Sequence, residues 1–268
     1  MFYGKDKITF LCFCLSIVLI SACIRKPEFK SNEIKNMNNN KGSFFAYDAL
    51  GNAVLLKWEE INGKTEKLSE KIKSLTDVLV PAYTQSEVEF ARKKPADIPN
   101  DFMLKTLAPL LEKGVEYVDW NVFEEKTKIV LEQFFMTLDW AGYAGDHDTN
   151  IFVVAVDQKT EKNVGVIQFL ITPAFAAHNV KAALCGVIPS AQDRGLEQLM
   201  LSSIFKLRPD VERIFTDTRS TNQRFISMHE GWGFTQFKGE IPGFTDVEYV
   251  VGKVDTLQKI ADAIVFKN

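Results

Sequence analysis

Residues 187–201 read VIPSAQDRGLEQLML, and the reading of this stretch decides the fold. It opens on branched apolar residues, breaks at Pro189, and passes through Gln192, Asp193 and Arg194 to Gly195. From there Leu196, Leu199, Met200 and Ile204 fall on one helical stripe, which Pro209 stops. The pattern is strand, turn, helix. Such a turn leaves the first helical N–H groups without partners, and together with the helix dipole they favour an anion. Gly195 permits close approach of backbone, and Arg194 offers a charge-assisted contact to a phosphate. Two carboxylates, Asp193 and Glu197, act against that preference.

The strands before the turn and the elements after it extend the plan. IFVVAVDQ (151–158), VGVIQFLIT (164–172) and VKAALCGVI (180–188) read as three consecutive strands, the last apolar enough to be buried on both faces. ERIFTDT (212–218) is a fourth, NQRFISMHEGW (222–232) a short helix capped by Asn222, and FTQFKGE (234–240) and VEYVVGKV (247–254) two further strands. A final amphipathic helix takes up residues 256–266. Upstream, residues 43–61 predict a hairpin around Gly51-Asn52. Residues 64–83 predict one helix with Pro81 near its end, and residues 86–101 a loop or short helix broken by Pro95 and Pro99. Residues 102–114 predict a helix capped by Gly114. Residues 121–140 predict a longer one, capped by Asn121, with Phe123, Val130, Phe134 and Leu138 inward.

The amino terminus addresses location. Lys5 and Lys7 precede a dozen apolar residues (11–22), a run too short to span a bilayer comfortably. It ends Ile20-Ser21-Ala22-Cys23, which resembles the lipobox of bacterial lipoproteins. That resemblance implies cleavage before Cys23, lipidation of its thiol and a membrane-tethered mature chain in the cell envelope. With Ile24 rather than Asp following, it points to the outer membrane where there is one. The alternative is retention at the cytoplasmic face of the inner membrane. Residues 23–42, rich in Asn and Lys, read as a flexible tether, with the ordered body from residue 43. Cys12 and Cys14 lie in the signal, so Cys185 alone remains in the body and no intrachain disulfide is expected. The chain has 268 residues, 46% hydrophobic and 25% charged, with net charge −3. That supports a sizeable core and argues against nucleic acid as the main partner.

The order of elements and two motifs resemble the GNAT superfamily of N-acetyltransferases. VIPSAQDRGL is similar to that family's V-x-P-x-x-[RQ]-x-x-G-x-[GA] signature through Val187, Pro189, Gln192 and Gly195. NQRFISMHEGWGF is similar to its N-x-x-[AF]-I-x-[LM]-Y-E-x-x-G-F ending through Asn222, Phe225, Ile226, Met228, Glu230, Gly233 and Phe234. The likeness covers residues 151–254; residues 43–150 are expected to add strands and variable helices, and 255–268 a closing helix. The resemblance implies an α+β fold with a mixed, mostly antiparallel sheet flanked by helices. It also implies direct transfer of an acetyl group from acetyl-CoA, as co-substrate, to an amine. The cofactor-binding set it implies is Cys185, Val187, Gln192, Asp193, Arg194, Gly195, Leu196, Glu197 and Asn222, with the strand end at 185–188 splayed to receive the pantetheine arm.

Two departures from the family pattern carry chemistry. Glu197 stands where the signature has a small residue, and His229 stands where relatives have the Tyr that protonates the leaving thiolate. An imidazole, with an ordinary pKa of about 6.5, suits that acid role, so His229 is the candidate catalytic residue; packing on a short helix is the other reading. No acidic base stands out on residues 180–186. Asp146-His147-Asp148 is read as a solvated loop rather than a metal site, so no metal is expected, and His178 and Glu230 as solvated. Because a secreted domain meets little acetyl-CoA, a second function stays open: a tethered GNAT-like fold that has lost catalysis and serves as a binding module.

Overall fold

Along β3 (Thr149–Asp157), Ile151, Val153 and Ala155 enter one hydrophobic core while Phe152, Val154 and Val156 enter another. A strand buried on both faces belongs in the middle of a sheet covered on both sides. The computed structural model describes residues 40–101, 103–140, 145–146, 148–172, 178–237, 246–252 and 255–266. Within them β3 lies inside a nine-stranded sheet of order β7-β8-β6-β5-β4-β3-β2-β1-β9. The strands are β1 (Lys41–Tyr47), β2 (Ala53–Asn62), β3, β4 (Asn163–Ile171), β5 (Asn179–Val187), β6 (Arg213–Arg219), β7 (Thr235–Phe237), β8 (Asp246–Gly252) and β9 (Val265–Phe266). Every neighbouring pair is antiparallel except β5 and β6. A parallel pair needs a crossover, and the helix α4 (Leu196–Leu207) supplies it.

On one face α1 (Glu66–Lys73), α2 (Thr76–Lys93) and α3 (Trp120–Thr137) bury Leu68, Ile72, Val78, Leu79, Leu131 and Phe135 against the sheet. On the other, α4 and α6 (Asp255–Ala263) pack together, joining Leu199, Met200, Ile204, Leu257 and Ala261 in one core. The short α5 (Gln223–Gly231) lays Ile226 and the following Trp232 and Phe234 against that same core. The fold is therefore the expected α+β arrangement of a mixed, mostly antiparallel sheet flanked by helices. All four stripe residues of α4 are buried, and Asn222 caps α5 by accepting from Phe225 N at 3.2 Å.

The amino-terminal half departs from expectation. Residues 64–83 form two helices, and α2 runs through Pro81 to Lys93, absorbing most of the expected loop. Pro81 removes one backbone bond near the start of α2, but Val78 and Leu79 before it and Val88, Phe90 and Ala91 after it are all buried, and that packing outweighs the local cost. Residues Lys105–Leu111 form a 3-10 turn containing Pro109 rather than an α-helix. The cap of α3 is Asp119, whose carboxylate accepts from Asn121 N and Val122 N, not Asn121. Its buried row is Phe123, Thr127, Leu131 and Phe135, one position on from the expected Val130 and Phe134. The two-residue β9 was not anticipated. Cys23 and His147 lie outside the described residues. Among the described residues no helix is long and apolar enough to cross a membrane.

Candidate active site

The site begins with a bulge in β5. Gln168 of β4 pairs with Leu184 while Phe169 pairs with Ala182, so Ala183 bulges out of the ladder. A bulge shifts which face later side chains occupy. Val180 and Ala182 face the α4 core, and beyond the bulge it is Cys185 and Val187 that do so. The same region leaves β6. Residues 179–182 pair with 213–216, after which β5 continues beside β4 and β6 beside β8. The two parallel strands thus open into a V whose β5 wall, residues 183–187, has no strand across from it. Cys185 N donates a long hydrogen bond of 3.4 Å to Tyr83 Oη of α2.

A cavity of about 1010 Å³ follows this V. It is lined on the α4 side by Gln192, Asp193, Gly195, Glu197, Asn222, Arg224 and Phe225, and on the α2 side by Tyr83, Glu87, Phe90, Asp101, Phe134 and Trp140. One space is therefore walled from both faces of the sheet. Cys185, Val187 and Leu196 also line it. Of the residues expected to hold a cofactor, all but Arg194 line this one cavity.

Arg194 is turned away. Its Nε donates to Asp48 Oδ2 at 2.6 Å and its Nη1 to Asp157 Oδ2 at 2.8 Å. Asp48 is fixed in turn by Leu50 N, Asn52 N and the Asn52 amide. The guanidinium thus ties the β1–β2 turn to the 192–195 turn instead of meeting an anion in the cavity. Gly195 shows the same packing: with φ 69° it needs the left-handed region, and a Cβ there would stand 3.1 Å from Ala49 Cβ. The close approach that Gly195 permits is to the hairpin, whose Ala49 N donates to Arg194 O at 2.9 Å.

The cation that reaches the turn is Arg224, which the sequence reading passed over. It donates to Gln192 Oε1, and to Asp193 Oδ1 at 2.7 Å, and it is half exposed. The charge on Asp193, a residue strained into positive φ, is thereby offset. Gly195 gives α4 no side-chain cap, so the first N–H groups of that helix are not satisfied by a capping side chain.

Glu197 and His229 do not behave as exposed charges. Glu197 Oε1 is buried with no hydrogen-bond partner among the described residues, although His229 Nε2 comes within 3.4 Å. Burial pushes the Glu197 carboxyl up to about 7, against the lowering pull of its Cys185 hydrogen bond and of Arg224. Burial pushes His229 down to about 4, against its bond to the Phe225 carbonyl. The 3.4 Å approach is accordingly not an ion pair: the imidazole is neutral, and below about pH 7 the carboxyl beside it holds its proton. The Cys185 thiol is pushed well above its usual range by burial and by Glu197, and so is inert as a nucleophile. His229 stacks on Phe225 with ring centroids 3.7 Å apart and meets Phe234 edge-on; it is not among the residues lining the cavity.

The α2 side holds charges that the sequence did not single out. Arg219 Nη2 donates to Glu87 Oε2 at 2.9 Å and its Nη1 to Asp101 Oδ2 at 2.8 Å, with the guanidinium 4.4 Å over the Phe90 ring. Lys181 meets Asp217 across the V at 3.3 Å. Asn150 Oδ1 accepts from Gln168 at 2.7 Å, while its buried Nδ2 has no hydrogen-bond partner among the described residues. These groups converge from β3, β4, β5, β6 and α2, and no single stretch of sequence announces them. Asp148 lines the cavity, Glu230 is exposed, and His178, half exposed, contacts Asp210 O at 3.0 Å. Among the described residues no three His, Cys, Asp or Glu side chains gather as metal ligands.

No protein-family model and no curated protein matches the chain. Among solved structures, it is similar to PaiA N-acetyltransferase from Thermoplasma acidophilum in complex with coenzyme A. That match has 12% identity and a TM-score of 0.41, and covers 74% of this chain and 98% of that one. It is similar to an acetyltransferase from Thermus thermophilus at 14% identity and a TM-score of 0.39, covering 74% and 96%. It is also similar to a GNAT family acetyltransferase from Elizabethkingia anophelis with acetyl-CoA bound, at 13% identity and a TM-score of 0.32, covering 38% and 76%.

Proposed function

We propose that this chain transfers an acyl group from an acyl-CoA, acetyl-CoA in the simplest case, to an amine. The observation that carries the reading is the V between β5 and β6, with a cavity walled from both faces of the sheet passing along it. The edge of residues 183–187 that faces away from β4 has no strand partner in β6, which suits an extended arm bearing amides. That is the chemistry of pantetheine. The diphosphate then falls to the uncapped start of α4, with Gln192, Asn222 and Arg224 beside it, and the amine enters from the α2 side. In the reaction the amine nitrogen attacks the thioester carbon and the thiolate leaves. Calorimetric titration of the purified full-length chain with acetyl-CoA tests the reading, and no heat of binding at any salt concentration sinks it.

A second reading, a binding module without catalysis, is favoured by Glu197, whose carboxyl fills the first turn of α4 where the resembled family has a small residue. It predicts binding of CoA or a like ligand with no thiol release in the presence of amines. For location we propose, from Ile20-Ser21-Ala22-Cys23, that the chain is lipidated at Cys23 and tethered in the cell envelope. Retention at the cytoplasmic face of the inner membrane, where acetyl-CoA is available, is the alternative. Fractionation of the labelled protein separates the two.

A further inference from the structure

Glu197 lines the cavity and stands between Cys185 of β5 and His229 of α5. His229 Nδ1 lies 3.0 Å from the Phe225 carbonyl oxygen, which can only accept, so Nδ1 carries the hydrogen. Nε2 then turns a lone pair toward Glu197. A lone pair facing a buried carboxyl oxygen is tolerated when the carboxyl holds a proton. His229 is 1% exposed and boxed by Phe225, Trp232 and Phe234, so no substrate atom reaches it. Of the two groups only Glu197 lines the cavity, so a proton passes between the pair and the cavity through its carboxyl.

We propose that Glu197 is the acid that protonates the departing CoA thiolate, with His229 as a positioning residue behind it. This rests on the acyl-transfer reading. In the step the amine nitrogen bonds to the thioester carbon, and the C–S bond breaks with its electron pair passing to sulfur. The Glu197 O–H proton moves to that sulfur to give the free thiol. The surplus proton of the new amide nitrogen leaves to water, and the Glu197 carboxylate takes a proton back from solvent. Atoms and charge balance with no further reactant.

The groups facing Glu197 agree with the role. From β5 comes the Cys185 thiol, itself held neutral; from α5 come His229, held neutral by burial, and Arg224, which eases ionisation once the proton has gone. With the carboxyl poised near 7 and the imidazole near 4, it is the carboxyl that exchanges its proton at neutral pH. Filling the cavity with the acyl-CoA arm takes the remaining water from Glu197 and so further favours its protonated form. Acyl-CoA binding above pH 7 must then take up a proton.

Full-length wild type and Glu197→Gln are titrated with acetyl-CoA at about pH 8 in two buffers of different ionisation enthalpy. Thiol release from acetyl-CoA is followed in parallel with benzylamine, chosen for the aromatic wall of Phe90, Phe134 and Trp140. The wild type is expected to take up close to one proton on binding. Glu197→Gln, isosteric with the protonated acid, is expected to bind at least as tightly with no uptake, and to release thiol about 10²–10⁴-fold more slowly. His229→Phe keeps the proton uptake and loses less than about tenfold in release. Proton uptake that persists in Glu197→Gln, or undiminished release by that variant, overturns the proposal. If benzylamine is not accepted, the proton count alone decides. A wild type that binds no acetyl-CoA overturns the acyl-transfer reading itself, an outcome distinct from one in which both proteins bind and their proton counts agree.

Discussion

Removing His229 or Glu197 one at a time should tilt the stability of the protein with pH in opposite directions. In the unfolded chain Glu197 ionises near 4.5 and His229 near 6.5; in the folded chain they titrate near 7 and 4. Between pH 4.5 and 6.5 the unfolded chain therefore holds the proton on His229, and the folded chain holds it on Glu197. Each state binds one proton, so the pair contributes no pH slope to wild-type stability there. Replacement of Glu197 by Gln leaves the histidine term alone. The folded pKa is depressed, so that term is fully present above 6.5 and lost as pH falls toward 4. Replacement of His229 by Phe leaves the carboxyl term, whose raised folded pKa is fully satisfied below 4.5 and becomes a penalty as pH climbs to 7. At about 1.4 kcal/mol per tenfold change, either term reaches about 3 kcal/mol over its range, an upper figure because the Glu197 side chain keeps some solvent contact. Urea midpoints at half-unit pH steps, each variant referred to wild type, measure the two slopes. Relative to wild type, His229→Phe must gain toward acid and Glu197→Gln toward neutrality. Parallel curves for the two variants would refute the neutral-pair assignment.

Arg224→Ala should weaken acetyl-CoA binding by about three- to tenfold, and the loss should shrink as salt rises, since the guanidinium is half exposed at the turn; a salt-independent loss would count against a charge contact. Arg194→Ala strands two carboxylates, Asp48 and Asp157, and should cost about 3 kcal/mol or more in urea unfolding, whereas an unpaired surface arginine would cost almost nothing. Gly186→Ala drives a Cβ to within 2.7 Å of Ala82 Cβ and should lower the melting temperature by several degrees. Cys23→Ser should abolish fatty-acid labelling of the full-length protein, and unchanged labelling removes the lipid anchor.

What the sequence made legible was periodic or motif-borne. The strands of residues 151–188, the buried stripe of α4 and the cap at Asn222 each follow from spacing within a dozen residues, and all stand where they were expected. The amino-terminal helices were less legible because long-range packing decided them. Pro81 reads as a stop, yet apolar residues on either side of it are buried. The row buried in α3 shifted by one position because Phe134 and Phe135 compete for the core and Thr127 bonds its hydroxyl to Phe123 O. In the site, charge was legible and direction was not. Arg194 and Arg224 both sit near the turn, but the two carboxylates that claim Arg194 lie at residues 48 and 157. Glu197 looked like a repulsive charge because its burial beside Cys185 and His229 is a tertiary fact.

The bond from Arg194 to Asp48 closes a loop of 146 residues. At synthesis rates of about 5–20 residues per second, roughly 7–30 s pass between the emergence of the hairpin and that of its anchor. The β1–β2 turn waits for that interval without the partner that fixes it, and the 192–195 turn cannot take its shape until the two ends of that loop have met. Competence to bind should thus arrive late in folding, as a single event. A fragment beginning after β2 would hold every residue that lines the cavity and still lack the clasp that shapes it.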